Sequence, residues 1–262
     1  MKQIRAILKR EFTSYFKSPI GWILVAIFFF VSSLFFSLNF ISSYSDIASE
    51  LTFVQSLFFV LIPIITMKSF AEERKSGTEV LLFTSPASTL EIVLGKYLGA
   101  FCLFLLMSST ILLHVIFTAA FGGVINAVTW GTYLAFILSG AAYIAIGIYI
   151  SSLTENQIIA AIVSVLIFIG FTLLSSIASL IGSLVTNLLQ YLDVLKLISS
   201  TADTAAGTAV TNAINWINPA TRLSDFNKGI FGVTPIIFLL SYIVLFLFLT
   251  VQYHDKRRWA QR

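Results

Sequence analysis

Residues 71–86, AEERKSGTEVLLFTSP, interrupt a chain that is otherwise mostly Leu, Ile, Phe and Val. Glu72, Glu73, Arg74, Lys75 and Glu79 gather there, with Gly77 and Pro86, between two long apolar runs. A polar elbow between apolar runs is the pattern of a solvent-facing loop joining two membrane spans.

The composition supports that reading. Of 262 residues, 58% are hydrophobic and 11% charged, against roughly 25% charged in an ordinary soluble domain. A mean hydropathy of +0.94 leaves more apolar surface than a soluble fold of this size can hide, so the bilayer is the expected solvent. The single cysteine, Cys102, lies in an apolar run and forms no disulfide within the chain. The net charge of +4 is modest and one-sided, which suits membrane orientation better than nucleic-acid binding. The basic leader and the long apolar run after it lack a small-residue cleavage site, so they read as a retained anchor.

A helix needs about 20 apolar residues to cross about 30 Å of hydrocarbon. Six stretches qualify: 20–41, 51–70, 97–121, 130–151, 157–181 and 235–253. Barrel strands are shorter and alternate in polarity, which excludes a β-barrel reading. Ser18-Pro19 and Thr234-Pro235 place a capping side chain before proline at a first helical position. Thr154–Gln157 and Ser88–Glu91 fit the capping box.

With the N-terminus inside, the inner segments hold Lys2, Arg5, Lys9, Arg10 and Lys17, then Lys68, Arg74, Lys75 and Lys96, then Lys256, Arg257, Arg258 and Arg262. Only Lys196, Arg222 and Lys228 of the 16 basic residues remain outside. The positive-inside rule therefore predicts a multi-pass protein of the cytoplasmic (inner) membrane with both termini cytoplasmic. Trp22, Trp130, Trp216 and Trp259 all fall near predicted boundaries, where indole is favoured.

Residues 1–19 form an amphipathic elbow helix in this reading. Ile4, Leu8, Phe12 and Phe16 make one stripe, edged by Lys2, Arg5, Lys9 and Lys17, and such a helix lies in the headgroup plane among membrane lipids. Residues 182–233 form an unusually long extracytoplasmic segment. Apolar recurrence at Ile181, Leu184, Leu188, Leu192 and Leu195 predicts a helical hairpin on the outer face, with a re-entrant loop as the rival.

The spans are predicted to lack acidic and basic residues in their interiors, which argues against an ion-coupled secondary transporter. His114 is the exception and is expected to be neutral and hydrogen-bonded across a helix interface. Gly95, Gly99, Ser139, Gly140, Ala141 and Gly147 suit close helix packing. No zinc motif occurs, and the phosphate-loop pattern fails because Leu90 stands at its first glycine and Tyr97 follows Gly95-Lys96. The chain reads as a non-catalytic subunit with no catalytic, metal or cofactor site of its own, so energy for work against a gradient enters from another chain.

The segment 71–96 then becomes the cytoplasmic coupling segment. Ser76-Gly77-Thr78-Glu79 fits a capping box, opening a short helix through Val80, Leu81, Leu82 and Phe83 that Pro86 ends. Its apolar run needs a burial site, at the membrane surface or in a cleft of a cytoplasmic partner.

The run EERKSGTEVLLFTSPASTLEIVLGKYLGAF, residues 72–101, closely resembles the signature after the second span in type 2 ATP-binding-cassette export permeases. Glu72, Glu73, Arg74, Gly77, Thr78, Leu81, Leu82, Ser85, Pro86, Gly95 and Lys96 match the pattern, while Glu79 sits one place earlier than the family's acidic residue. The resemblance extends to residues 9–23, KREFTSYFKSPIGWI, and to DFNKGIFG before the last span. It is nearest to gliding-motility-type permease subunits. It implies an all-α integral membrane protein with six transmembrane helices, an N-terminal interfacial helix and a coupling helix between spans two and three. It also implies a permease that exports substrate with ATP and Mg held on a separate cytoplasmic ATPase subunit. A second permease subunit, identical or related, and an extracytoplasmic accessory protein are further implied partners. Glu72, Glu73, Arg74, Gly77, Thr78, Leu81, Leu82, Phe83 and Pro86 are the ATPase-coupling residues so implied. Two alternatives remain: a scaffold or mechanotransmission subunit driven by the same ATPase without substrate passage, and a secondary transporter.

Overall fold

The computed structural model describes residues 2–41, 47–80, 86–193, 200–219, 221 and 226–260. The described residues form helices and no strand. In chain order these are α1 (Lys2–Lys17), α2 (Pro19–Ile41), α3 (Ile47–Ser56), α4 (Phe58–Thr66), α5 (Ala71–Lys75), α6 (Thr89–Ala120), α7 (Ala127–Leu153), α8 (Gln157–Asp193), α9 (Ser200–Ile217) and α10 (Val233–Ala260). A 3-10 turn, Phe226–Lys228, precedes α10.

Five of these helices are long and apolar enough to cross a membrane: α2, α6, α7, α8 and α10. The second predicted span is not one straight helix. It divides into α3 and α4, bent by 57° at Leu57, and the pair counts as a sixth span only if it is one broken crossing. Leu57 donates its amide to Val54 and accepts from Val60 and Leu61, so hydrogen bonding continues round the bend.

The chain divides into two compact units, residues 1–165 with 225–262, and residues 166–224. In the first unit α7 is the hub, packed against α3, α4, α6, α10 and the 3-10 turn. Most of its apolar window is buried, 78% against 17% for α10, because its inner positions are small. A Cβ on Gly140 would run into the ring of Phe104, and one on Gly147 into the side chain of Thr66. Phe58, Phe104 and Phe136 fill the space those glycines leave, with ring centroids 4.9–5.5 Å apart.

Helix caps follow side-chain chemistry more than motif spelling. The Ser88–Glu91 capping box forms as expected, with both reciprocal hydrogen bonds. The one expected at Thr154–Gln157 does not. There Asn156 Oδ1 accepts from the Ile158 amide at 2.9 Å, while Thr154 Oγ1 takes the Asn156 amide at 3.0 Å. The amide side chain nearer the first turn reaches it more directly. Ser18 also departs from a capping role, donating back to Tyr15 O.

The predicted second span starts at Leu51, but α3 begins at Ile47 and so takes in Glu50. Glu50, read as an outer-loop residue, is 1% exposed on α3. Its Oε1 accepts from Ser32 of α2 at 2.5 Å and lies 2.7 Å from His114 Nδ1 of α6. His114 is thus bonded across a helix interface as expected, but to a carboxylate that hydropathy concealed.

The second unit is a helical hairpin. Helix α8 continues unbroken past Ile181 to Asp193, about 55 Å at 1.5 Å per residue, and α9 packs on its later turns. A Cβ on Gly182 would strike Thr211, and one on Gly207 would strike Thr186, so paired small residues set the approach. Asn218 closes the hairpin, donating to Phe171 O at 3.1 Å and Ser175 Oγ at 3.0 Å.

Candidate coupling site

The elbow is built on a hydroxyl from the hub helix. Between α4 and α5 the amides of Phe70 and Ala71 have no helical partner, and both donate to Ser151 Oγ at 3.1 and 3.2 Å. Ser151 donates in turn to Met67 O. Helix α5 then runs for five residues and stops at Ser76 and Gly77. Gly77 has φ +73°, the left-handed conformation that ends helices and that a Cβ would strain.

This overturns the expected capping box at Ser76. Ser76 Oγ bonds back to Glu72 O and Glu73 O, and Thr78 Oγ1 also reaches Glu73 O. Because Gly77 reverses the backbone, Ser76 belongs to the end of one helix and not to the start of the next. Residues 79–80 are helical. Leu81, Leu82, Phe83 and Ser85 lie outside the described residues.

Two ionic groups hold the elbow. In the first, Arg10 of α1 lies 2.7 Å from both Glu11 and Glu73. Lys96 of α6 lies 2.8 Å from Glu73 and 3.2 Å from Glu11, donates to Ser69 O, and sits over the Phe70 ring. The Lys96 side chain is only 1% exposed, so these carboxylates offset the cost of burying it. Burial alone would raise the Glu11 carboxyl, but the charge of Lys96 and the bonding and charge of Arg10 outweigh it and hold it below the usual carboxylate range. A cavity of about 270 Å³ adjoins this group. Its ionic lining is balanced, with Arg10, Lys68 and Lys96 against Glu11, Glu72 and Glu73.

The second group ties the elbow to α10. Glu79 accepts from Arg74 Nε at 3.2 Å, with His254 Nδ1 at 3.5 Å and Arg257 at 4.0 Å. Partial burial pushes the Glu79 carboxyl up, but hydrogen bonds from His254 and Arg74 and the charges of Arg74 and Arg257 bring it down to about 2. Thr89, at the start of α6, donates to Asp255 at 2.6 Å.

Helix α1 completes the arrangement. Gly95 and Gly99 lie under it: a Cβ at Gly95 would meet Ile7, and one at Gly99 would meet Glu11 Cβ. The small-residue motif thus seats α1 on α6. Gln3 donates to Pro86 O at 3.2 Å, and Tyr15 to Ile65 O at 2.7 Å.

Of the sequence-predicted residues, Glu72 and Lys75 are exposed, and Glu72 makes only a 3.8 Å pair with Lys68. Glu73 and Arg74 turn inward, to Arg10 and Lys96 and to Glu79. The Arg74 side chain is 5% exposed and lies over Tyr253. Gly77 and Thr78 shape the turn, and Pro86 receives α1. Sequence reasoning missed Glu11, Lys96, Glu79, His254 and Asp255 as partners. Glu11 had one signal: it is the lone acid of a basic helix.

Residues 5–259 match the family described as ABC-2 family transporter protein. No individual curated protein matches the chain. A match over nearly the whole length, with five to six candidate spans among the described residues, shows that this chain belongs to the ABC-2 transporter family, as the membrane permease component of an ABC transporter that works with an ABC ATPase subunit.

Proposed function

We propose that this chain is the six-span permease half of an exporter of the gliding-motility type in the cytoplasmic membrane, with both termini cytoplasmic. A second permease subunit pairs with it, and an accessory protein meets the extracytoplasmic segment 182–233. The ATPase subunit binds ATP and Mg and drives the elbow at residues 71–96.

The observation that carries this reading is the wiring of the elbow. Arg10, Glu73 and Lys96 join α1, α5 and α6, while Arg74 and Glu79 join the elbow to His254 of α10. A force applied there reaches three helices through short, largely buried contacts. Lys75 and Val80 are exposed, and Leu81, Leu82 and Phe83, which follow in the sequence, serve as the apolar anchor for the ATPase.

The test is ATPase retained on affinity-purified permease. Leu82→Asp places a charge in a desolvated groove and is expected to lose the ATPase while the permease stays inserted. Lys75→Ala is expected to have a mild, salt-sensitive effect. Full retention by Leu82→Asp would remove the coupling role from this leucine. Single cysteines at Ser76 and Glu155, shielded from an impermeant thiol reagent in intact cells while one at Asn126 reacts, would support the orientation.

A further inference from the structure

At the end of the first unit away from the elbow, the Glu50–His114 pair is bonded in a way that leaves one position open. Glu50 Oε1 takes the Ser32 hydroxyl and faces His114 Nδ1, while Oε2 is buried and has no hydrogen-bond partner among the described residues. His114 Nε2 lies 3.1 Å from Ser33 Oγ, and the ring is stacked on Phe36 at 4.4 Å. A lone carboxylate in such a place is costly unless a positive charge accompanies it.

The geometry points to a proton-binding site here: we propose that the pair holds one proton as an imidazolium–carboxylate and exchanges it with the end of the bundle distal to the elbow. Nδ1–H donates to Glu50 in either state of the ring. When Nε2 is bare it accepts from the Ser33 hydroxyl. When a solvent proton adds to Nε2, forming the second N–H bond, the hydroxyl turns and accepts. No other bond changes, and the buried site passes from net negative to neutral. Oε1 already faces two donors, whereas Nε2 faces a hydroxyl that can turn from donor to acceptor, so the ring is the proton's place.

A route follows from two further atoms on α2 and α6. Thr118 Oγ1 and Asn39 Nδ2 are also buried without hydrogen-bond partners among the described residues. Thr118 lies one turn beyond His114 on the same face of α6, about 6 Å further along. Asn39 lies two turns beyond Ser32 on α2, about 10 Å further along. Contacts of Phe36 with His114 and of Phe40 with Phe121 show that α2 and α6 run side by side in that direction. Unpaired polar atoms at successive levels are the setting in which water is retained in a protein interior. Among the described residues of the neighbouring helices, α2 and α7 carry no Asp, Glu, Lys, Arg or His, and α3 has only Glu50. Glu91 and Lys96 of α6 stand at the elbow end, and Asp46 lies outside the described residues. This inference is independent of the coupling role assigned to the elbow and of the orientation in the membrane.

The chain has two histidines, His114 and His254, so ¹⁵N-histidine NMR of the full-length permease in lipid nanodiscs can resolve each ring, with His114→Gln assigning the signals. At neutral pH the His114 ring is expected to show two protonated nitrogens, and this signature is expected to be lost in Glu50→Gln, which keeps the shape and removes the charge. A neutral ring in the parent, or an imidazolium unchanged in Glu50→Gln, would overturn the proton site. Thr118→Val, close to the same shape without the hydroxyl, is expected to slow hydrogen–deuterium exchange at Nε2 at least tenfold. Exchange at the parent rate would remove the route.

Discussion

The elbow and the Glu50–His114 cluster are both buried polar regions, yet they are bonded in opposite ways. At the elbow, Lys96 meets two carboxylates and a carbonyl, and Glu73 is held from two sides. In the distal cluster, one carboxylate oxygen carries both contacts and the other has no hydrogen-bond partner among the described residues. A closed network transmits force because moving one member disturbs all of them. An open one keeps a valence for something that comes and goes. The same residue types can therefore serve as a rigid joint or as a binding site, depending on how many lone pairs the fold leaves unused.

Lys96→Ala is the change expected to break that contrast most severely. It strips Glu11 and Glu73 of their buried counter-charge, which typically costs about 3–5 kcal/mol. Denaturant unfolding of the purified permease should show the loss, and an effect under about 1 kcal/mol would mean that the joint is solvated and not closed. Gly99→Val comes next, because a larger side chain must push against Glu11 Cβ and lift α1 from α6. Overpacking of this kind costs about 1–3 kcal/mol. Protease sensitivity of α1 should rise with it, whereas an unchanged digestion pattern would detach α1 from the joint.

Ser33→Ala sharpens the other side of the comparison. It removes one hydrogen bond to His114, an expected cost of about 1 kcal/mol, and should leave ATPase retention intact. A loss of ATPase in that variant would join the two regions into one network.

The pH dependence of the elbow has a defined sign. The Glu79 carboxyl is depressed to about 2 in the folded protein, so its contribution is fully present above the ordinary carboxylate range near 4.5 and is lost as the pH falls toward about 2. Stability should therefore fall less between those values in Glu79→Gln than in the parent. The smallest effect is expected for Lys68→Ala, since a 3.8 Å pair with a half-exposed Glu72 contributes about 0–1 kcal/mol.

How much was legible without coordinates depends on the range of the interaction. Helices α2, α6, α7 and α10 were readable because about 20 consecutive apolar residues have one good solvent. The Ser88 cap was readable because both its partners lie within three residues. The bend at Leu57 and the unbroken run of α8 past Ile181 were not, since both depend on what packs alongside. Gly77 was recognisable as a special position, yet its neighbour Ser76 was given to the wrong helix. A serine flanked by polar residues can end a helix as readily as begin one, and the left-handed turn at Gly77 decided which.

The chain alone determined its membrane nature, its helices, the small-residue seats at Gly95 and Gly99 and the elbow as a charged inner segment between apolar runs. Only the tertiary structure decided what the charges there do. Glu11 and Lys96 are 85 residues apart, Glu50 and His114 are 64 apart, and Glu79 finds His254 from the far end of the sequence. Hydropathy scores each of these groups as if water surrounded it. A buried charge is instead governed by the partner that folding brings within about 3 Å, and no local pattern names that partner.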